Sequence, residues 1–291
     1  MKIVRAGECR MPAGIPFVIL LGMIITCAAA RPASAYPLWD GKESQTAYAR
    51  RAGIAQDEIA LDLGGGVTMK CALIPAGKFT MGSPADEPNR VANEGPQHEV
   101  TISRPFCMGV FDVTQEQFQA VMGENPSRFQ GPARPVDGVS WEQATEFCKR
   151  VSQKTGQAVK LPTEAQWEYA CRAGSRTRYF FGDDEKQLPD YANYARTFEA
   201  GTLPVGSKKA NAWGLFDMHG NVWEWCSDWF ANSYPAAPQV DPAGPASGER
   251  RVLRGGGWEC SYRYCRSAIR YWGAPTRESI IVGFRVIVES R

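Results

Sequence analysis

Three times this chain repeats one helix-opening signal, a hydroxyl residue followed three places later by glutamine: Thr114 with Gln117, Ser140 with Gln143, and Thr163 with Gln166. In such a capping box the hydroxyl accepts a free amide hydrogen of the first turn, and the glutamine reaches back to the cap. The second and third helices are short, because Gly156 and Gly174 are natural stops. Trp141, Ala144, Cys148 and Val151 share one face of the second, and Trp167, Ala170 and Cys171 one face of the third, which core packing explains. Strands are expected at 67–74, 78–81, 100–102, 106–111, 252–254 and 280–288. Beyond residue 175 the patterning gives way to turns rich in Gly, Pro, Asn and Asp. The 29 glycines and nine tryptophans suit a core of large flat rings and close backbone approaches rather than long helices.

The N-terminus reads differently. Lys2, Arg5 and Arg10 precede an apolar run from Phe17 to Ala30, and Ala33-Ser34-Ala35 follows. This is the layout of a signal peptide over residues 1–35, with a run too short for a permanent membrane anchor. Export to the periplasm or the medium is expected. Residues 36–66 are polar and weakly patterned, a lead-in to a main domain at 67–291, and Gly64-Gly65-Gly66 reads as a hairpin connection. The net charge of +2 points to no nucleic-acid surface. Of nine cysteines, removal of Cys9 and Cys27 leaves seven, so an oxidising compartment would pair most and leave at least one thiol otherwise engaged.

Several segments resemble the sulfatase-modifying factor family, whose best-known member is the formylglycine-generating enzyme. They are IPAGKFTMGS at 74–83, FDVT at 111–114, VDGVSW at 136–141, LPTEAQWEYA at 161–170, GLFDMHGNVWEW at 214–225, RGGGW at 254–258 and GFR at 283–285. The resemblance implies a compact, irregular α+β domain with sparse secondary structure, distantly similar to C-type lectins. It also implies two chemistries, since the family includes copper-dependent oxidases of protein cysteines as well as non-catalytic binding modules.

Asp217 and Glu224 bracket the turn His219-Gly220-Asn221, a layout that suits a hard cation seeking about six to eight oxygens. By resemblance, calcium would take the side chains of Asp217 and Glu224 and the carbonyls of Gly220 and Val222. Asn193 and Tyr194 match the start of a second calcium site. The bland alternative is that the carboxylates cap and pair.

Cys260 and Cys265 match the thiols that hold copper(I) in the family's enzymes, with Trp223 close by. A soft ion accepts two thiolates, and zinc would need further ligands where the chain has only His98 and His219. The family pattern is broken at three places. Gly257 replaces a serine, Ser267 replaces a cysteine that pairs with the counterpart of Cys171, and Val286 replaces one that pairs with the counterpart of Cys148. Catalytic thiols, a structural Cys171–Cys265 bond, and unpaired core thiols all stand open. The implied functions are oxidation of a cysteine in a protein or peptide substrate, a sulfatase among them, or a calcium-stabilised binding module.

Overall fold

The computed structural model describes residues 36–289, so the expected signal peptide lies outside the described residues. All three capping boxes form. Thr114, Ser140 and Thr163 each accept the amide of the residue three places on, at 3.1–3.2 Å, and each glutamine returns the bond. They open α2 (Gln115–Met122), α3 (Trp141–Thr155) and α4 (Glu164–Arg172). Gly156 ends α3 in the left-handed region, as expected, whereas Ala173 takes that conformation at the end of α4 and Gly174 follows it.

The lead-in is part of the domain. Ser44 caps α1 (Gln45–Ala52), which buries Tyr48, Ala49 and Ala52. Gly64-Gly65-Gly66 then turns β1 (Glu58–Gly64) into β2 (Val67–Ile74). Of these, α1 and β1 escape a sequence reading because each offers the core only a narrow stripe: Leu61 and Leu63 are the buried residues of β1.

The main sheet has the order β1-β2-β5-β12-β6, with β5 at Phe106–Gly109, β6 at Val159–Lys160 and β12 at Ile287–Glu289. Its central strands are buried on both faces. Met69, Cys71, Leu73, Cys107 and Val288 meet α1, α2 and α3 on one side. Ala72, Ile74, Phe106, Met108 and Ile287 meet α4, β3 (Gly77–Met81) and β4 (His98–Ile102) on the other. A second sheet, β10-β9-β7-β11, is built from Tyr271–Gly273, Arg251–Arg254, Trp223–Trp229 and Val282–Gly283. A third, small sheet has the order β3-β4-β8, with β8 at Gln239–Val240. The strand expected over 280–288 is thus two strands in different sheets, β11 and β12, parted by Phe284-Arg285-Val286. Arg285 explains the break, because its buried guanidinium turns inward to carboxylates.

Candidate functional site

The segment leaving β9 carries both candidate thiols. Gly255 and Gly256 adopt φ values of 93° and 83°. A Cβ on Gly256 would collide with the Tyr264 carbonyl and come within 3.1 Å of Cys265 Sγ, so only glycine lets the chain pass this close. Beyond Trp258 the chain folds over itself, Cys260 N donating to Gly257 O at 2.9 Å and Cys265 N to Tyr262 O at 3.2 Å.

Three buried arginines clamp the stretch from 266 to 270, just past Cys265. Arg266 grips Glu87 and Glu94, Arg270 grips Glu164, and Arg254 donates to the carbonyls of Ser267, Ala268 and Ile269.

The two thiols end in different surroundings. Cys260 is half-buried, and Trp223 Nε1 donates to its sulfur at 3.3 Å. Cys265 is fully buried among Tyr179, Leu188 and Ala192, with Tyr194 and Tyr262 packed against the cluster. Burial raises the pKa of both thiols, and at Cys265 the nearness of Cys260 adds to the effect. A bound soft cation would offset the cost of burying thiolates, and two thiols are the donor type copper(I) takes.

A cleft of about 120 Å³ opens beside Trp223 and includes Tyr271, Ile281, Glu259 and Arg277. A wider cleft of about 700 Å³ between α3 and β6 touches neither Cys260 nor Cys265.

Cys171 lies in another cluster, against α4 and the main sheet. Its thiol donates weakly to Met218 O at 3.9 Å, and burial pushes it up to about 12. Ser267 is the side chain beside it, close enough to favour the thiolate though without a well-aligned bond. Position 267 therefore faces Cys171, as the resemblance implies. The seven cysteines among the described residues are all free thiols. Val286 is buried in the same cluster as Cys148. At Gly257 a Cβ would stand 3.2 Å from Trp223 Cδ1 and 3.3 Å from Ile281 O, so the family's serine would have to push its neighbours aside.

The 217–224 loop leads into β7, a strand the sequence reading did not separate from the loop. Asp217 adopts φ 59° and accepts the Gly206 amide at 2.7 Å. Burial, only partly offset by that bond and Arg285, raises its carboxyl to about 6. Glu224 is fully buried, accepting Trp167 Nε1 at 2.8 Å and both Nε and Nη2 of Arg285 at 2.6 and 2.9 Å. Asp112 joins them through Arg285 at 3.2 Å, and its Oδ2 has no partner.

Three buried carboxylates thus face one guanidinium. That deficit of positive charge favours a cation near the Asp217 loop, but Glu224 has partners on both oxygens. Among the described residues no three ligating side chains converge as a metal cage, so backbone carbonyls would have to supply the rest. Val222 is buried, and Gly220 presses on the backbone of Asn193. Asn193 is held in the same loop, its amide donating to Gly201 O and Asn221 Oδ1. The Tyr194 ring packs against the cluster that holds Cys265, where burial and Cys265 raise its phenol.

Asp112, Trp167 and Arg285 were missed as site residues. Two of them lie in the FDVT and GFR motifs, and the available signal was a charge set in an apolar run.

Comparison with known proteins agrees with this architecture. The profile of the sulfatase-modifying factor enzyme 1-like domain matches residues 67–290. The formylglycine-generating enzyme of Streptomyces coelicolor is 41% identical over 171 residues, which cover 53% of this chain and 52% of that one. The chain thus spans about half the length of that relative. The mouse formylglycine-generating enzyme is 30% identical over 285 residues, 74% of each chain. Among solved structures, Treponema denticola variable protein 1 superposes with a TM-score of 0.75 at 30% identity, covering 81% of this chain and all of that one. On motifs, fold and extended identity alike, this chain belongs to the sulfatase-modifying factor family.

Proposed function

We propose that this protein is an exported oxidase of the formylglycine-generating type, converting a cysteine of an extended peptide to an aldehyde. The observation that supports the reading is how its thiols are partnered: Cys265 lies within electrostatic reach of Cys260, and Cys171 has Ser267 beside it instead. Both members of the pair are thereby left available to copper(I).

When bound, copper(I) would pass electrons to dioxygen. Cys260 and Cys265 would hold it. Trp223 orients the outer sulfur through its indole N–H, and the tyrosine-lined pocket keeps water from the inner one. A peptide side chain would enter the cleft lined by Trp223, Tyr271 and Glu259, the chain neighbour of Cys260. Calcium at the Asp217 loop would be structural. Among the described residues no helix is long and apolar enough to cross a membrane.

A second reading, a calcium-stabilised binding module without catalysis, is favoured by Gly257, where the family's serine would fit only tightly against Trp223 and Ile281. One experiment separates the two. Reduced mature protein should bind a single copper(I), and Cys260→Ser and Cys265→Ser should each abolish binding, because one thiolate cannot supply a two-coordinate site. The loaded protein should oxidise a peptide carrying the cysteine-x-proline-x-arginine motif, seen by mass spectrometry. A Cys171–Cys265 bond in protein never exposed to oxidant after lysis would overturn the oxidase and leave the module.

A further inference from the structure

We propose that Trp223, Tyr271 and Trp272 form a one-electron route between the Cys260 thiol and the protein surface. The proposal deepens the oxidase reading and rests on it.

The rings form an unbroken series. Trp223 Nε1 sits 3.3 Å from Cys260 Sγ. The Trp223 and Tyr271 rings have centroids 5.2 Å apart, and Tyr271 stacks on Trp272 at 5.8 Å with planes 10° apart. Strand pairing sets this up. Tyr271 and Trp225 both pair with Leu253 of β9, so Tyr271 lies across the sheet from β7, which begins at Trp223. Because β10 is an edge strand, the series ends at the surface, with Tyr271 40% exposed.

Composition distinguishes this series from ordinary packing. Phe118, Phe147 and Phe284 also touch in succession, but phenylalanine is too hard to oxidise to relay an electron. Tryptophan and tyrosine are the oxidisable aromatic side chains, and every member of this series is one of them.

The proposed reaction needs an electron donor, and such a route would let one act from the surface. Turning a cysteine CH₂–SH into an aldehyde with release of hydrogen sulfide takes two electrons from carbon. Dioxygen, ending as the aldehyde oxygen and one water, accepts four. Two electrons and two protons must therefore come from a donor, and a dithiol that closes to a disulfide supplies both. Each electron would enter at Trp272 or Tyr271 and pass through Trp223 to the thiol site. Arg250, with its guanidinium carbon 3.7 Å from the Trp272 ring centroid, and Arg277 in the adjoining cleft place positive charge where a thiolate donor would approach.

The test runs the route backwards in reduced, copper-free protein, without peptide. A photogenerated ruthenium(III) polypyridyl complex, too bulky for the cleft, removes one electron at the surface. Cys260 refills the hole through the rings and loses its thiol proton to water. A nitrone spin trap captures the resulting sulfur radical, and peptide mass spectrometry locates the adduct.

Wild type should carry the adduct on Cys260. Tyr271→Phe, at a surface position, and Trp223→Phe should each remove most of it, with Trp223→Phe leaving the modification on Tyr271 and Trp272. Adduct on Cys260 at the wild-type level in both variants, or no adduct on Cys260 in the wild type, overturns the route. No copper or substrate takes part, so failure here is distinct from failure of the copper-binding test.

Discussion

The fold buries two clusters of charge, and they differ in balance. Around α4, Glu168 is held by Arg172 and Arg254, and Glu164 by Arg270 and the Tyr234 hydroxyl. Two carboxylates meet three guanidiniums, with Asp228 at the edge. Although burial opposes it, the two arginines keep Glu168 below the usual carboxylate range. Around Arg285 the count reverses, with Asp112, Asp217 and Glu224 sharing one guanidinium. There burial and the Glu224 charge push Asp112 up, and one of its oxygens is unpaired. The first cluster is complete as protein, while the second is short of positive charge. On the calcium proposal, that difference is the one between a structural brace and a site.

Arg254→Met should produce the largest effect. It leaves Glu168 to Arg172 alone and releases the carbonyls of Ser267, Ala268 and Ile269, at a cost of about 3–5 kcal/mol, the usual penalty for breaking a buried pair. Urea unfolding should show the same loss in calcium and in chelator, because this cluster needs no ion. A loss that depends on calcium would erase the contrast between the clusters.

Calcium itself comes next. An ion that binds only the native state adds about 2.7 kcal/mol at a hundredfold excess over its dissociation constant. Chelation should lower the melting temperature of the wild type and of Arg254→Met alike. Asp217→Ala should lose most of that sensitivity. Identical melting curves with chelator and with excess calcium would leave the second cluster a brace with protonated carboxyls, not an ion site.

Sequence reading succeeded where the physics is local. The capping boxes needed only neighbours three residues apart. It failed where a residue's role depends on distant partners. Glu224 was readable as a ligand, yet its contacts with Trp167 and Arg285 span 57 and 61 residues. Arg254 and Arg285 appeared within fold motifs, but nothing local reveals that one joins a balanced cluster and the other a deficient one. Elements α1 and β1 went unread because a three-residue stripe and two alternating leucines barely rise above a polar background. The relation of Cys171 to Ser267 was available only through family resemblance, and the structure supplies its physical form.

Asp228 tests where the balanced cluster ends. Its Oδ2 accepts the Glu164 amide at 2.9 Å and the Ser227 hydroxyl at 3.1 Å, yet burial and the Glu164 charge raise the carboxyl to about 7. A raised acid binds its proton more tightly in the folded protein than in the unfolded chain. Its contribution is therefore fully present below the ordinary value of 3.8 and is lost as pH rises through about 7. Asparagine does not titrate, so Asp228→Asn should match the wild type near the acid end of that window. Above it the variant should be more stable, by roughly 0.5–2 kcal/mol, a range typical of single stabilising changes. The gain is limited because the new amide needs an acceptor where a carboxyl oxygen stood. Urea midpoints of both proteins across that pH window would show the gap opening toward alkaline pH. If the gap is flat, or the variant loses stability at high pH, Asp228 is an ionised partner of Arg270. The cluster would then hold three carboxylates against three guanidiniums, and its contrast with the Arg285 cluster would sharpen further.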